Sequence, residues 1–409
     1  MPTPIYLDNH ATTRCDPRVV EAMLPWFAED FGNANSVGHT FGESARKAVD
    51  SARERIAEVI GAEADELLFT SGATESNNLA IRGVAERKRR RGDHLISVKT
   101  EHRAVLQPLA RLARNVRDVT LLDVTPHGDA DAGRLDPEAV ADAIRDDTCL
   151  VSVMLANNEI GVVQPIAEIA AACHDRGVLL HCDATQAVGK LPVSVERLGV
   201  DLMSFTAHKM YGPKGIGALY VRGRSPVVRL EPQITGGGQQ RGRRSGTLNV
   251  PGIFGFAAAI DLCDRGMEAE AARLAELRNR LWSGLQAALL DAEPGPPERG
   301  RPKLCGPAID AIDADRQPLR LPHNLSVLLP GIDGEAVVMR LDGVAISSGA
   351  ACSADEPEPS HVLQALGLSE DDARSSLRFG LGRFTTENCI EEATQQVAAA
   401  VLSLGRLRV

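Results

Sequence analysis

The residues that invite a chemical reading are few and scattered. Lys209 stands in the run Ser204-Phe-Thr-Ala-His-Lys-Met-Tyr-Gly-Pro-Lys-Gly215, just after an apolar stretch and among Thr, His and Gly. An amine there becomes a nucleophile if burial or a neighbouring cation strips its proton, and Lys209 is then suited to a Schiff base. Lys214, five residues on, competes for that role, and most loop lysines are simply solvated. Thr70-Ser-Gly-Ala-Thr-Glu-Ser76 combines hydroxyls, a Gly turn and a helix start, which suits phosphate as well as plain capping. Asp183 ends the run Val178-Leu-Leu-His-Cys-Asp183, where a carboxylate can keep a pyridinium nitrogen protonated or merely cap a helix. Lys99-Thr-Glu-His102 and Ala156-Asn-Asn-Glu-Ile-Gly161 bring an imidazole and an amide to two further strand ends. Cys352 sits between Ser347-Ser-Gly-Ala-Ala and the Pro-rich, acidic Ala354–Ser360, so its thiol reads as part of an exposed, mobile loop rather than as core filler.

These residues need a sheet to gather them. Apolar runs at 66–70, 94–98, 119–122, 149–154 and 178–182 read as buried strands alternating with helices, which predicts an α/β fold with a mostly parallel sheet. Leu202–Phe205 and Gly217–Val221 follow more closely, as an antiparallel pair. Asp136-Pro-Glu opens a crossover helix with a cap and a first-turn Pro, and helices are expected at 16–23 and 43–60 before the sheet. A long Ala- and Leu-rich helix is expected over 251–290, broken by Glu293-Pro-Gly-Pro-Pro-Glu298. The expected division is an arm at 1–15, a large domain at 16–250 carrying part of that helix, and a smaller α+β domain at 291–409. Its strands fall at 324–329 and 376–379, and its helices near 333–342, 360–366 and 386–405. The chain shows no internal repeat.

Composition narrows the setting. The chain has 409 residues with Lys+Arg 45 against Asp+Glu 55, a net charge of −10, which offers no basic field for nucleic acid or an anionic membrane. No apolar run approaches the roughly 18 residues of a membrane span, and the start lacks a leader-like n-region, so a cytoplasmic location is expected. Eight cysteines without a C-x-x-C pair argue against both a disulfide framework and a zinc ribbon.

In order along the chain, Tyr6-Leu-Asp-Asn-His-Ala-Thr-Thr13, Thr70–Ser76, Asn157–Gln164, Asp183-Ala-Thr-Gln186, His208-Lys209, Arg244-Ser-Gly-Thr247, Ser347–Cys352 and Arg378-Phe379 with Leu381–Thr386 resemble the cysteine desulfurases of the iron–sulfur assembly type. These are fold-type I pyridoxal-phosphate enzymes. The resemblance implies pyridoxal 5'-phosphate held by Lys209 as a Schiff base. Its phosphate would meet the turn at Ala73 and Thr74, with Thr206, His208 and, from a second subunit, Thr247. Asp183 would pair with the pyridine nitrogen, Gln186 and Asn158 would contact the phenolic oxygen and nearby substrate, and His102 would stack on the ring and move protons. Arg378 would grip the substrate carboxylate. Cys352 would take sulfur from L-cysteine as a persulfide and pass it to an acceptor protein, leaving L-alanine. No resident metal is implied; iron and sulfur at Cys352 would be cargo in transit.

A homodimer follows from the same resemblance. Selenocysteine lyase shares the fold and most of these motifs, and a silent scaffold of the same fold is the alternative that Lys209 and Cys352 speak against. Two departures stand out: Arg301–Pro322 is longer and richer in Pro and Asp than its counterpart, and the chain stops at Val409, where scaffold-docking bacterial members run on. Cys182 stands where a valine is common.

Overall fold

The computed structural model describes residues 4–87, 92–115, 117–290, 301–351 and 358–406. Strand β1 (Ile5–Tyr6) opens the chain. Seven strands then build the large sheet: β2 (Leu67–Thr70), β3 (His94–Val98), β4 (Asp118–Leu122), β5 (Thr148–Met154), β6 (Leu179–Asp183), β7 (Leu202–Thr206) and β8 (Gly217–Val221). Their order across the sheet is β2-β8-β7-β6-β5-β3-β4. The contacts β4–β3–β5–β6–β7 are all parallel. β7–β8 and β8–β2 are antiparallel, with Leu202 opposite Val221 as the short 202–221 spacing predicts. β5 is buried along its whole length and β6 nearly so, with Ser152, His181 and Asp183 among their apolar residues. The run at 119–122 departs from the buried strand expected of it. β4 is the sheet's edge, and Leu121 is 39% exposed.

Helix starts follow the capping chemistry. Asp16 and Asp136 each accept a hydrogen bond from the second residue after them, with Pro in the first turn of the helices Pro17–Met23 and Pro137–Ala143. The Val250–Leu290 helix runs for 41 residues and serves two cores. Its first half packs Ile253, Phe256, Ile260 and Cys263 against the large sheet. Its second half presents Leu274, Leu277, Leu281, Leu285 and Leu289, a three-four spacing on one face, to a separate apolar cluster.

That second cluster belongs to a four-stranded sheet of order β12-β15-β10-β9. It is built from β9 (Lys303–Leu304), β10 (Asn324–Leu328), β12 (Ser347–Ser348) and β15 (Ser376–Gly380). The intervening β11 (Val344–Ala345) pairs in parallel with β1, and β13 (Ala350–Ala351) pairs with β14 (Glu358–Pro359). Period-two alternation sends Leu377 and Phe379 into the cluster and Arg378 to the opposite face, beside Ser326 of β10. The helix expected over 333–342 is shorter, Gly334–Val338. The Glu387–Arg406 helix lies close to the residues expected of it.

Candidate active site

Polar residues cluster beyond the carboxyl ends of the parallel strands, where open α/β sheets bind ligands. Lys209, Asp183, His102 and Arg378 line one cavity of ≈ 700 Å³, together with Ala73, Thr74, Asn158, Gln186, Thr206 and His208. Thr247 is exposed and is not among its lining residues. Cys352 lies outside the described residues.

Lys209 ends a single turn of 3-10 helix, Ala207–Lys209, directly after β7. Its Nζ donates to the carbonyl oxygens of His10 and, at 2.6 Å, Ala11. Burial, and then the positive charge of Arg378, lower its pKa from 10.5 to about 8. Lys214 also reaches the cavity but from the exposed rim. The two lysines are thus distinguished by environment rather than by type.

Asp183 is buried at the end of β6. Its Oδ2 accepts from Asn77 Nδ2 at 2.7 Å and its Oδ1 from the Thr185 backbone N–H at 3.0 Å. Both are neutral donors, so no cationic side chain occupies these two contacts and a cationic N–H would find no competitor there. Glu101, fully buried nearby, has its pKa pushed well up by burial and by Asp183, while the Met154 N–H donates to its carboxyl. His102 caps the Arg103–Ala113 helix, its Nδ1 accepting from the Ala104 N–H at 3.0 Å. Because Nδ1 accepts, the ring's proton sits on Nε2, and burial lowers the pKa of the ring.

Gly72 holds φ +151° before the Ala73–Ala85 helix, a conformation that favours glycine, and no side chain caps that helix. Its N-terminus therefore offers backbone donors to an anion. His208 places Nδ1 3.2 Å from Thr12 Oγ1, and burial lowers its pKa to about 4. Thr206 donates its hydroxyl to Ile216 O at 2.9 Å. Glu75, in the helix's first turn, accepts from the Ser71 N–H at 2.7 Å. Arg244 neutralises it through contacts of 2.7 and 3.1 Å, which fasten the 240–246 segment to the same chain's helix.

Arg378 reaches the cavity from β15. Its Nη2 donates to Asp8 Oδ1 and Ser347 Oγ, both at 2.9 Å, while its buried Nε has no partner. An unspent guanidinium donor at a cavity wall suits an incoming carboxylate. Gln186 has both ends of its amide on His10, at 3.2 Å and 3.0 Å. Asn158 offers its carbonyl to Arg378 Nη1 at 3.5 Å. Sequence reasoning gave no role to Asp8, His10, Asn77 or Glu101. The first two sit inside the quoted Tyr6–Thr13 motif, and Asn77 follows the Thr70–Ser76 motif by one residue.

Pyridoxal 5'-phosphate fits these residues. A buried carboxylate with only neutral partners suits a ring N–H, an uncapped helix start suits a phosphate, and a lysine amine of lowered pKa lies in the same cavity. The fold and site define a fold-type I, pyridoxal-phosphate-dependent enzyme. The chain belongs to the class-V aminotransferase family, whose model matches residues 5–392. It is 51% identical over 405 residues to the cysteine desulfurase IscS of Anaeromyxobacter sp. (strain Fw109-5), covering 99% of this chain and 94% of that protein. A NifS-like protein of known structure matches with a TM-score of 0.85 at 34% identity, over 98% of this chain and all, 100%, of the other. SspA, solved in complex with cysteine, matches with a TM-score of 0.75 at 33% identity, over 93% of this chain and 99% of its own.

Proposed function

We propose that this protein is a cysteine desulfurase that converts L-cysteine to L-alanine and passes the sulfur onward for iron–sulfur cluster or thio-cofactor synthesis. The observation that carries the reading is the convergence of Lys209, Asp183, His102 and Arg378 on one cavity. The bound cofactor supplies the electron sink that acidifies the substrate Cα and weakens its C–S bond. Asp183 keeps the ring nitrogen protonated, and the turn at Ala73 and Thr74 with Thr206 and His208 holds the phosphate. Arg378 orients the substrate carboxylate, and Asn158 lies beside it. Lys209 takes the Cα proton as a neutral amine and returns it. His102 moves a proton at the substrate thiol through Nε2, a contribution typically of about 10²–10⁴-fold. The Cys352 thiolate attacks the substrate sulfur: the S–S bond forms, the C–S bond breaks, and its electron pair ends, with a proton, on the carbon that becomes the alanine methyl.

The chain acts as a homodimer in this reading, with Thr247 of each subunit completing the other's phosphate site. The exposure of Thr247 and of Phe27, Phe31, Val37 and Phe41 supports it. Among the described residues no helix is long and apolar enough to cross a membrane, which is compatible with a cytoplasmic enzyme that hands sulfur to an acceptor protein. The test is incubation of purified protein with L-cysteine. Stoichiometric alanine with one added sulfur atom on the Cys352 peptide is expected. Alanine without that persulfide, or a preference for selenocysteine, overturns the reading.

A further inference from the structure

The segment 301–322 has no place in the chemistry above, yet it buries a charge beside it. Arg320 is 1% exposed. Its guanidinium donates to the carbonyls of Ile160 at 2.9 Å, Cys305 at 2.6 Å and Pro307, and to Asn324 Oδ1 at 3.0 Å. Gly161, at φ +72°, makes room for this, because a Cβ there would collide with the Asn324 amide. From Asn324 a continuous chain of hydrogen bonds runs to the cavity. Asn324 Nδ2 lies 3.1 Å from His10 Nε2 and 3.1 Å from Glu159 O. His10 Nδ1 lies 3.2 Å from Gln186 Oε1, and Gln186 Nε2 lies 3.0 Å from His10 O.

Every ambiguous group in that chain is fixed by its first member. A guanidinium can only donate, so the atom of Asn324 facing Arg320 is the oxygen and the atom facing His10 is the N–H donor. His10 Nε2 must then accept, which leaves the ring proton on Nδ1. Nδ1–H requires the oxygen of Gln186 to face it. The Gln186 NH₂ group therefore bonds the His10 carbonyl with one hydrogen and keeps the other for the cavity that Gln186 lines. His10 is 1% exposed and stacked on His323 at 4.5 Å, so the ring is held in place. Burial first, and then the positive charges of Arg378, Lys209 and Lys190, lower its pKa to about 3. The same residue's carbonyl receives the Lys209 amine.

We propose that His10 is a positioning residue that transmits the donor-only polarity of Arg320 to Gln186, so that the site always presents an N–H there and never a carbonyl oxygen. The effect on chemistry rests on the pyridoxal-phosphate reading. An N–H facing the cofactor's phenolic oxygen stabilises its anionic form, whereas a flipped amide oxygen repels it.

Two measurements test this. In ¹⁵N-histidine NMR of the chain without cofactor, His10 should be a neutral Nδ1–H tautomer across the pH range in which the fold persists; an Nε2–H tautomer or a titrating ring overturns the relay. In the cofactor-loaded protein, the pH midpoint of the visible chromophore should rise by about one unit, a tenfold change, in His10→Phe. It should stay at the wild-type value in His10→Gln, whose amide can accept from Asn324 and donate to Gln186. In a Gln186→Ala background His10→Phe should add no further shift; a full additional shift there refutes transmission through Gln186. A chain that shows the Nδ1–H tautomer yet forms no chromophore supports the relay and refutes the cofactor reading instead.

Discussion

Lys209 can be interrogated before any cofactor is added. With its pKa lowered from 10.5 to about 8, the amine is neutral in roughly 9% of molecules at pH 7, against roughly 0.03% for an ordinary lysine, about a 300-fold gain. Burial is the larger cause and the Arg378 cation the second, while Asp8 and Asp183 pull the other way. Arg378→Gln deletes the cation and also releases Asp8 from its 2.9 Å ion pair, so its charge acts on Lys209 uncompensated. Both changes favour the ammonium form. Loss of one neighbouring unit charge at an effective permittivity near 20 is worth about one to two pK units, so neutral Lys209 at pH 7 should fall by roughly 10- to 100-fold. Competitive acetylation of the cofactor-free chain, with the Lys209 peptide followed by mass spectrometry against free lysine, reads the midpoint directly. Wild type should turn over near pH 8 and the variant well above it. A wild-type midpoint at the ordinary lysine value, or no movement in Arg378→Gln, would refute the account of how this amine is activated.

Arg378→Lys should raise KM for cysteine by about 10- to 150-fold while the cofactor stays bound, the worth of a charged hydrogen bond at about 1.5–3 kcal/mol; an unchanged KM in steady-state assays removes Arg378 from substrate binding. Cys352→Ala should keep its colour and still change spectrum on adding cysteine, yet lose sulfide release; near-normal release would mean that no enzyme persulfide is needed. Mixing and refolding Lys209→Ala with Thr247→Arg should restore about a quarter of wild-type activity, because half the dimers are mixed and each of those has one intact site. No recovery argues against a shared site.

Much of the sheet was legible because its central strands are short, mostly apolar runs separated by helical stretches, several of them opened by a capping residue. The edge strand β4 misled because Val119–Leu122 has the same residue types as a buried strand, and only its place in the sheet exposes Leu121. The strand-end residues Lys209, Asp183 and His102 could be nominated from the sequence, since each ends its strand or follows it within a few residues. What joins them could not. His10 and Asn324 stand 314 residues apart, and Asp8 and Arg378 stand 370 apart. A polar residue's partner is set by the packing of distant segments, and neither periodicity nor propensity carries that information. The two-residue strands β9, β11 and β12 lie below the length at which a pattern can be recognised.

The arm at residues 5–16 is fastened to both sheets. Leu7 and Asn9 bond the backbone at Ala345 and Gly380, and Asn9 Nδ2 reaches Gly380 O across 371 residues. His10, next along, holds the Lys209 amine and the Gln186 amide. Residues 10–16 bond the large domain, through Gln186 to His10 O, Thr13 to His208 O and the Asp16 N–H to Tyr211 O, whereas residues 5–9 must wait for β11 and β15 to be made. A half-made chain can assemble β7 and β6 with Lys209 and Asp183 at their ends and has Gln186 and His208 to hold residues 10–13, but Leu7 and Asn9 on the other side of His10 still lack their partners. Loop closure over so long a span is slow compared with local helix and hairpin formation. The arm that carries the carbonyl partners of Lys209 is therefore anchored on both sides only once β15 exists, because Asn9, next to His10, takes its place on Gly380.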